Sequence, residues 1–142
     1  MQPPPIAAPY LKTEVLVDED GELVPIQRSR LLASGSVHAV TAWNPGDQRP
    51  TDQVNRAANQ ALFEQLVTRG LEPVRAVGQD PDSSHAEESW AVSGTTDDIA
   101  RELGAQFGQV AVFRITTGSQ TVLACEEAWR ASRSIPLGES EQ

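Results

Sequence analysis

Cysteine, aromatic residues and long apolar runs are all scarce in this chain, and each shortage excludes a class of protein. Cys125 is the only cysteine among 142 residues, so neither an internal disulfide nor a thiolate metal cluster can form, and a reducing compartment suits the chain. No apolar run approaches the roughly 20 residues that cross a bilayer. Residues 1–5 lack the basic and apolar regions of a secretory leader. We therefore expect a cytoplasmic protein with no membrane partner.

Basic residues are also few. The chain has 11 Lys and Arg against 20 Asp and Glu, which gives a net charge of −9. Such a balance repels phosphate backbones. Arg28 and Arg30 form the densest basic pair, and no aromatic residue is interleaved with them, as a nucleic-acid-binding surface would require. We therefore predict no nucleic-acid partner.

Motifs for the common cofactors and metals are missing as well. Neither G-x-G-x-x-G nor G-K-[ST] occurs, which excludes the usual dinucleotide and P-loop sites. His38 and His85 are the only histidines, and neither belongs to a paired metal motif such as H-E-x-x-H. Asp80 and Asp82 could add oxygen ligands, but an acidic turn is the commoner role of such a segment. We predict neither a cofactor nor a metal.

The length of the chain fits one domain with a core of its own. Residues 1–9 are rich in proline and are predicted to form a flexible arm. Residues 133–142 mix Ser, Pro, Gly and acids, which predicts a flexible tail. Residues 10–132 are then a single α+β domain.

Hydrophobic periodicity predicts an alternation of strands and helices. From residue 37 to residue 116 the order is strand, helix, strand, strand, helix, strand, which is typical of the ferredoxin-like split βαβ arrangement with both helices on one face of the sheet. Extra strands lie at both ends. Residues 27–36 are expected to form a loop or a short helical piece, and residues 126–132 a helical turn. The predicted strands cover residues 10–17, 23–26, 37–43, 73–79, 87–93, 109–116 and 121–125, and the predicted helices run from near Thr51 to Gly70 and from near Thr96 to Gly108.

The segment Thr-Ala-Trp-Asn-Pro at residues 41–45, named here the Asn-Pro corner, ends a strand because proline cannot continue the pairing. Asn55 and Asn59 lie four residues apart in the following helix, on the side of its apolar stripe. Their amides form either a self-satisfied polar network that holds the corner to the helix, or the lining of a pocket for a polar or anionic small ligand. The candidate binding residues here are Thr41, Trp43, Asn44, Asn55 and Asn59.

His85, Glu87 and Ser89 alternate along one predicted strand. A catalytic triad of these three alone is excluded, because His85 and Ser89 are about 13 Å apart in an extended strand. Trp90 belongs to the other phase and is expected to face the helices, so Glu87 and Ser89 face the opposite side. They form either a solvated polar face or part of a site. Gln109 adds an amide at the junction of the second helix with the next strand.

Several short motifs in this order resemble a bacterial family catalogued as domain of unknown function 3293. They are the Asn-Pro corner, Asn55 with Asn59, the run Glu-Glu-Ser-Trp at 87–90, and the run Phe-Gly-Gln-Val-Ala-Val at 107–112. The resemblance covers roughly residues 10–123, with Tyr10 and Thr13 in the opening strand, and Glu88 stands where the family has proline. The family has no assigned activity. The resemblance implies that the polar positions of interest are Thr41, Asn44, Asn55, Glu87, Ser89 and Gln109.

These features lead to a principal hypothesis and two alternatives. The principal hypothesis is a binding or accessory module with a polar pocket at the Asn-Pro corner, for a polar small molecule or a protein partner. The first alternative is a hydrolase that uses Glu87 as general base, with amides from Asn44, Asn55 or Gln109 orienting the substrate. The second is a protein–protein interaction module that acts through its sheet face.

Overall fold

Eight strands form one sheet in which every neighbouring pair is antiparallel. The structure, a computed structural model, describes residues 10–46, 48–82 and 85–135. Within these ranges the chain is α+β, as expected, with two α-helices and two 3₁₀ segments. The strands are β1 (Glu14–Glu19), β2 (Glu22–Pro25), β3 (Val37–Val40), β4 (Val74–Gln79), β5 (Ala86–Ser93), β6 (Ala111–Thr116), β7 (Ser119–Ala124) and β8 (Arg130–Ser134); the helices are α1 (Asp52–Thr68) and α2 (Asp97–Gln106), and the 3₁₀ segments are Ile26–Arg28 and Arg30–Ser34.

The strand order across the sheet is β2-β1-β4-β5-β3-β6-β7-β8. Helix α1 joins β3 to β4, and α2 joins β5 to β6, so each helix crosses over one intervening strand. Both helices pack on the same face, where Leu62 of α1 and Leu103 of α2 share one apolar cluster with Val40, Val92 and Val112 of the sheet. The opposite face of the sheet is therefore not covered by the helices.

That other face is concave, because the sheet curls and the segment before β1 closes the gap between distant strands. The Thr13 carbonyl accepts a hydrogen bond from Gln120 of β7 at 2.8 Å. On its other side, the Thr13 methyl group lies where a Cβ on Gly78 of β4 would be 3.3 Å away. One end of this concave face is filled by an apolar cluster, which Ile26 and Leu32 of the 3₁₀ segments complete. Its other end lies beside the Asn-Pro corner.

Both helices begin where the sequence predicts. Thr51 and Thr96 are the N-cap residues, and their side chains accept hydrogen bonds from the amides of Val54 and Ile99, each at 3.2 Å. A threonine in this position satisfies one of the amides that have no partner inside the helix. The predicted starts of the two helices are confirmed.

Three predicted boundaries are wrong, each for a local physical reason. The helical turn expected at 126–132 is replaced by β8, an edge strand that pairs with β7 and includes Arg133 and Ser134 of the predicted tail. The opening strand begins at Glu14, because the chain turns at Tyr10, whose carbonyl accepts from the Thr13 amide. Strand β3 ends at Val40, because residues 41–44 already turn. The predicted arm and the rest of the predicted tail, residues 1–9 and 136–142, lie outside the described residues.

A partly buried polar network joins β3 and β6 to the first turn of α2. His38 is 2% exposed, and its Nε2 lies 2.8 Å from Oδ1 of Asp97. A carboxylate can only accept, so Nε2 carries the proton. Arg114 of β6 donates to the other carboxylate oxygen. Burial alone would raise the pKa of Asp97, but the hydrogen bonds and charges of His38 and Arg114 outweigh it, so the pKa lies below its ordinary value of 3.8.

We expect Asp97→Asn to lower the free energy of unfolding at neutral pH. We also expect the variant to lose less of this free energy than the wild type does when the pH is lowered. A lowered folded-state pKa contributes stability that is present above the unfolded-state pKa and is lost as the pH falls through the folded-state value. The wild-type advantage should therefore narrow below about pH 4. Urea unfolding between about pH 3 and pH 7 measures this. Asp98→Asn is the control, because the Asp98 side chain is 93% exposed; parallel curves for wild type and Asp97→Asn would contradict the expectation.

Candidate functional site

A cavity of about 250 Å³ opens on the concave face beside the Asn-Pro corner. It is named here the concave-face cavity. Five of the polar side chains singled out in the sequence line it, although they come from β5, from the corner and from the junction between α2 and β6. Those five are Thr41, Asn44, Glu87, Ser89 and Gln109, and the other lining residues include Tyr10, Thr13, Arg49, Asp80, His85 and Phe113.

Strand β5 presents opposite faces to the helices and to the cavity. Trp90 packs against Phe63 of α1, with ring centroids 4.8 Å apart, and its indole N–H donates to the Asn59 carbonyl at 2.9 Å. Glu87 and Ser89 point the other way and line the cavity. The predicted orientation of these residues is confirmed, since a strand alternates its side chains between two faces.

The backbone of the Asn-Pro corner turns sharply at Asn44, which has a φ of 48°. Asparagine tolerates this left-handed region better than most residues. Asn55 of α1 holds the turn in place with both ends of its amide. Its Oδ1 accepts from the Asn44 backbone amide at 2.9 Å, and its Nδ2 donates to Asn44 Oδ1 at 2.8 Å. The turn is thus fixed by a buried two-bond pair.

Asn59 holds the strand end next to this turn. Its Oδ1 accepts from the Ala42 amide at 2.8 Å, and its Nδ2 donates to the Glu88 carbonyl at 2.7 Å. Asn55 and Asn59 are both buried and both use each end of their amides. Neither lines the concave-face cavity, nor does the side chain of Trp43. The geometry supports the first alternative, a polar network that holds the corner to the helix, and these residues stand behind the cavity.

The junction between α2 and β6 docks directly on the Asn-Pro corner. Gly108 has a φ of 74°, and a Cβ at this position would lie only 2.9 Å from Cβ of Pro45. Glycine is therefore required both by the backbone conformation and by the close approach. The next residue, Gln109, donates from Nε2 to the Trp43 carbonyl at 3.2 Å. Two motifs more than 60 residues apart thus form one wall of the cavity.

His85 and Glu87 are hydrogen-bonded at the cavity, with Nε2 of the imidazole 2.8 Å from Oε2 of the carboxylate. Their side chains are 44% and 26% exposed, respectively, so both remain accessible to a ligand. Burial raises the pKa of Tyr10, which lines the same cavity, the negative charge of Glu87 raises it further, and Arg49 opposes them. Tyr10 therefore keeps its proton and offers a hydrogen-bond donor.

The sequence analysis does not select several residues that line this site. It places His85 on one strand face with Glu87, because residues two apart on a strand share a face, but it does not assign His85 to the pocket. Tyr10 and Arg49 carry no comparable pattern, since they come from segments outside regular strands and reach the cavity only through the curl of the sheet.

Cys125 is buried and does not line the cavity. Burial raises the pKa of its thiol to about 12, with Glu126 adding to the effect and Arg101 opposing it. A thiol with so high a pKa carries almost no thiolate at neutral pH. Cys125 therefore serves as a small core residue rather than as a nucleophile.

Metal binding and membrane crossing are two further properties that bear on the function. Within the described ranges, no three His, Cys, Asp or Glu side chains come together in a way that could hold a metal ion. No described helix has the length and apolarity needed to cross a membrane.

Comparison with known proteins gives one match. The family model described as "Protein of unknown function (DUF3293)" matches residues 40–112, from the end of β3 into β6. The matched range contains the Asn-Pro corner, both helix asparagines, Glu87, Ser89 and Gln109. No curated protein and no solved structure matches the chain.

Proposed function

The chain belongs to the DUF3293 family of proteins of unknown function, and on that premise we propose that it binds a polar small molecule in the concave-face cavity. One observation carries the proposal. Polar side chains from three separate parts of the chain, represented by Asn44, Glu87 and Gln109, converge on a single concave cavity. Concave sites with a few converging polar groups are the usual place for small ligands.

The lining of the cavity suits a small organic molecule. Tyr10 and Phe113 supply aromatic surface, with ring centroids 6.4 Å apart and planes inclined by 54°. Arg49 and Glu87 bring opposite charges to the same space. Such a mixture of aromatic surface and single charges favours a ligand with a planar part and a few polar groups.

A second candidate function is hydrolysis, and the hydrogen-bonded pair His85–Glu87 favours it. The two groups are 2.8 Å apart at the cavity. A carboxylate bonded to one imidazole nitrogen can orient the ring and stabilise its cationic form, while either group can take a proton from water or substrate. Glu87 would then act as general base directly or through His85.

The protein–protein alternative gains no comparable support. The apolar part of the concave face is covered by the 3₁₀ segments. In the portion of the chain that the structure describes, the large exposed apolar side chains are Leu23, Val54 and Val67, which lie singly on β2 and α1. Single exposed apolar residues of this kind are normal on monomers.

We also propose that the centre of the fold is ferredoxin-like. The order β4-β5-β3-β6, with antiparallel neighbours and two crossover helices on one face, supports this interpretation. A bacterial origin, a cytoplasmic location and the division into arm, domain and tail stay predictions.

Glu87→Gln separates binding from catalysis, because a general base needs a proton-accepting carboxylate whereas a binding site needs only hydrogen bonds or charge. If the protein is a binding module, the affinity for a saturating ligand should change by about tenfold. If Glu87 is the base, binding should persist and turnover should fall about a hundredfold or more. Calorimetric titration and turnover assays with a panel of nucleotides, esters and amides measure both quantities.

Glu88→Gln is the matched control, since Glu88 is the next residue on β5 and its side chain lies at the helix face, 3.7 Å from Arg75. It makes the same change of charge outside the cavity, so it should alter neither binding nor turnover. The binding proposal fails if no polar small molecule binds saturably to wild type. It fails equally if the binding that is found responds to Glu88→Gln as strongly as to Glu87→Gln.

A further inference from the structure

The hydrogen bonds around the Asn-Pro corner determine which polar atoms it leaves for a ligand. Asn55 Oδ1 accepts from the Asn44 backbone amide, so the other end of the Asn55 amide must be the donor. That donor bonds to Asn44, which fixes the Asn44 oxygen on the helix side. The Asn44 Nδ2 group is then the end that remains, and no described residue accepts from it. It is not among the buried side-chain atoms that lack a partner, so it keeps some exposure to solvent, and Asn44 lines the cavity.

The same logic fixes Gln109 with the opposite polarity. Its Nε2 donates to the Trp43 carbonyl, which can only accept. Oε1 of Gln109 is therefore the free end of the amide, and within the described ranges it accepts no hydrogen bond. This atom too is not sealed from solvent, and Gln109 lines the same cavity. Gln109 thus bonds the carbonyl of the residue just before Asn44, and the free acceptor and the free donor belong to two amides that line the same cavity.

From this pair we infer that the cavity recognises the edge of a neutral carboxamide or lactam, in which a carbonyl oxygen stands beside an N–H group. The carbonyl would accept from Asn44 Nδ2, and the N–H would donate to Gln109 Oε1. Side-chain amides read such edges well because each presents a donor and an acceptor at fixed positions. The inference rests on the proposed binding function and names the ligand class for that site.

The surroundings of the two amides agree with a planar, neutral ligand. The rings of Tyr10 and Phe113 line the same cavity and offer an aromatic surface to a flat group. Asp80 and Glu87 bring negative charge to the cavity and Arg49 brings positive charge, so the acidic groups outnumber the basic one and disfavour a carboxylate in place of the carboxamide. An open-chain carboxamide and a cyclic lactam share this edge, and both are included in the test.

Benzamide and acetophenone test the inference on the wild-type protein. They have nearly the same shape, and both keep the carbonyl, but acetophenone carries a methyl group where benzamide carries NH₂. Benzamide should bind at least about tenfold more tightly, because acetophenone leaves Gln109 Oε1 without a partner. Both ligands are neutral, so long-range charge does not affect the comparison. 2-Pyridone, titrated beside them, tells whether the cyclic lactam binds better than the open-chain amide.

Asn44→Asp tests the other half of the edge. An aspartate can still accept from Asn55 with one oxygen, but it turns an acceptor instead of a donor toward the cavity. Benzamide affinity should fall at least about tenfold, because its carbonyl then meets a carboxylate oxygen. Gln53→Glu is the matched control, since it makes the same change of charge at an exposed position of α1 and should leave the affinity unchanged. Circular dichroism and thermal melts verify that the variants fold.

Each outcome decides between the proposals. Equal affinities for benzamide and acetophenone, or an Asn44→Asp variant that folds and binds benzamide as wild type does, would overturn the inference. Benzamide and 2-pyridone that fail to bind at millimolar concentration would overturn it too. If another polar molecule still binds and its affinity responds to Glu87→Gln, the proposed binding function survives; if none binds, both fail. Should Asn44→Asp not fold, the wild-type ratio of benzamide to acetophenone affinity decides alone.

Discussion

Gly104→Ala should destabilise the protein by about 3 kcal/mol, which is the largest effect that we expect of any single methyl group added to the chain. Gly104 lies on the buried side of α2, and an added Cβ would be 2.5 Å from Sγ of Cys125 and 2.6 Å from Cγ1 of Val112. Both neighbours belong to the apolar core between the helices and the sheet. Replacing glycine by alanine in an open helix would instead stabilise it by about 1 kcal/mol. The expected change in stability therefore has the opposite sign to the change that helix propensity alone predicts.

Cys125→Ala provides the check, because it removes one of the two clashing atoms. In that background, the cost of Gly104→Ala should be smaller by at least about 1 kcal/mol, which a double-mutant cycle by urea unfolding measures. The contact with Val112 remains, so the rescue should be partial. An equal cost in both backgrounds, or a stabilising Gly104→Ala, would show that α2 is not packed so closely on the sheet.

Asn55→Ala should destabilise the protein by about 2–4 kcal/mol, because each orphaned buried polar group costs about 1–3 kcal/mol. The substitution leaves two groups of Asn44 without partners, its backbone amide and its Oδ1. Asn44 also has a left-handed backbone that this pair holds in place. Chemical denaturation measures the loss. Ligand binding in the concave-face cavity should weaken at the same time, since the Asn44 amide is no longer oriented.

Asn59→Ala should have a similar effect on stability, because it leaves the Ala42 amide and the Glu88 carbonyl without the hydrogen-bond partner that Asn59 provides. Gln60→Ala is the matched control. It removes an amide from the next position of the same helix, where the side chain is exposed, so it should change stability by no more than about 0.5 kcal/mol. Denaturation curves of Asn55→Ala and Asn59→Ala that coincide with that of Gln60→Ala would contradict the buried network.

Features that depend on neighbours in the sequence could be predicted well. The N-caps Thr51 and Thr96 act on amides three residues away, so their pattern is local. The opposite orientations of Glu87 and Trp90 follow from the alternation of side chains along a strand. The turn after β3 follows from the Asn-Pro sequence, although the strand ends earlier than predicted, because the left-handed Asn44 and its hydrogen bonds already shape residues 41–44.

Features that depend on distant partners were missed or left open. Residues 130–134 have no apolar alternation strong enough to predict a strand, and they form β8 because β7 offers a free edge. Whether Asn55 and Asn59 face a cavity or a loop could not be decided from helical spacing, since both alternatives place them on the same side of α1. The hydrogen bonds to Ala42, Asn44 and Glu88 decide it.

The candidate site, too, has features that the sequence predicts and features that only the tertiary structure shows. Local rules of helix and strand periodicity, the chemistry of proline and asparagine, and the family resemblance together selected Thr41, Asn44, Glu87, Ser89 and Gln109. They also selected Trp43, Asn55 and Asn59, which do not line the cavity. They were not enough to show that the first five residues share one cavity with Tyr10 and Arg49, because that depends on the curl of the sheet. Nor could they show which end of each amide faces a ligand. That polarity is imposed by backbone groups brought close only on folding, since an amide turns its free end toward the cavity only after its other end is bound.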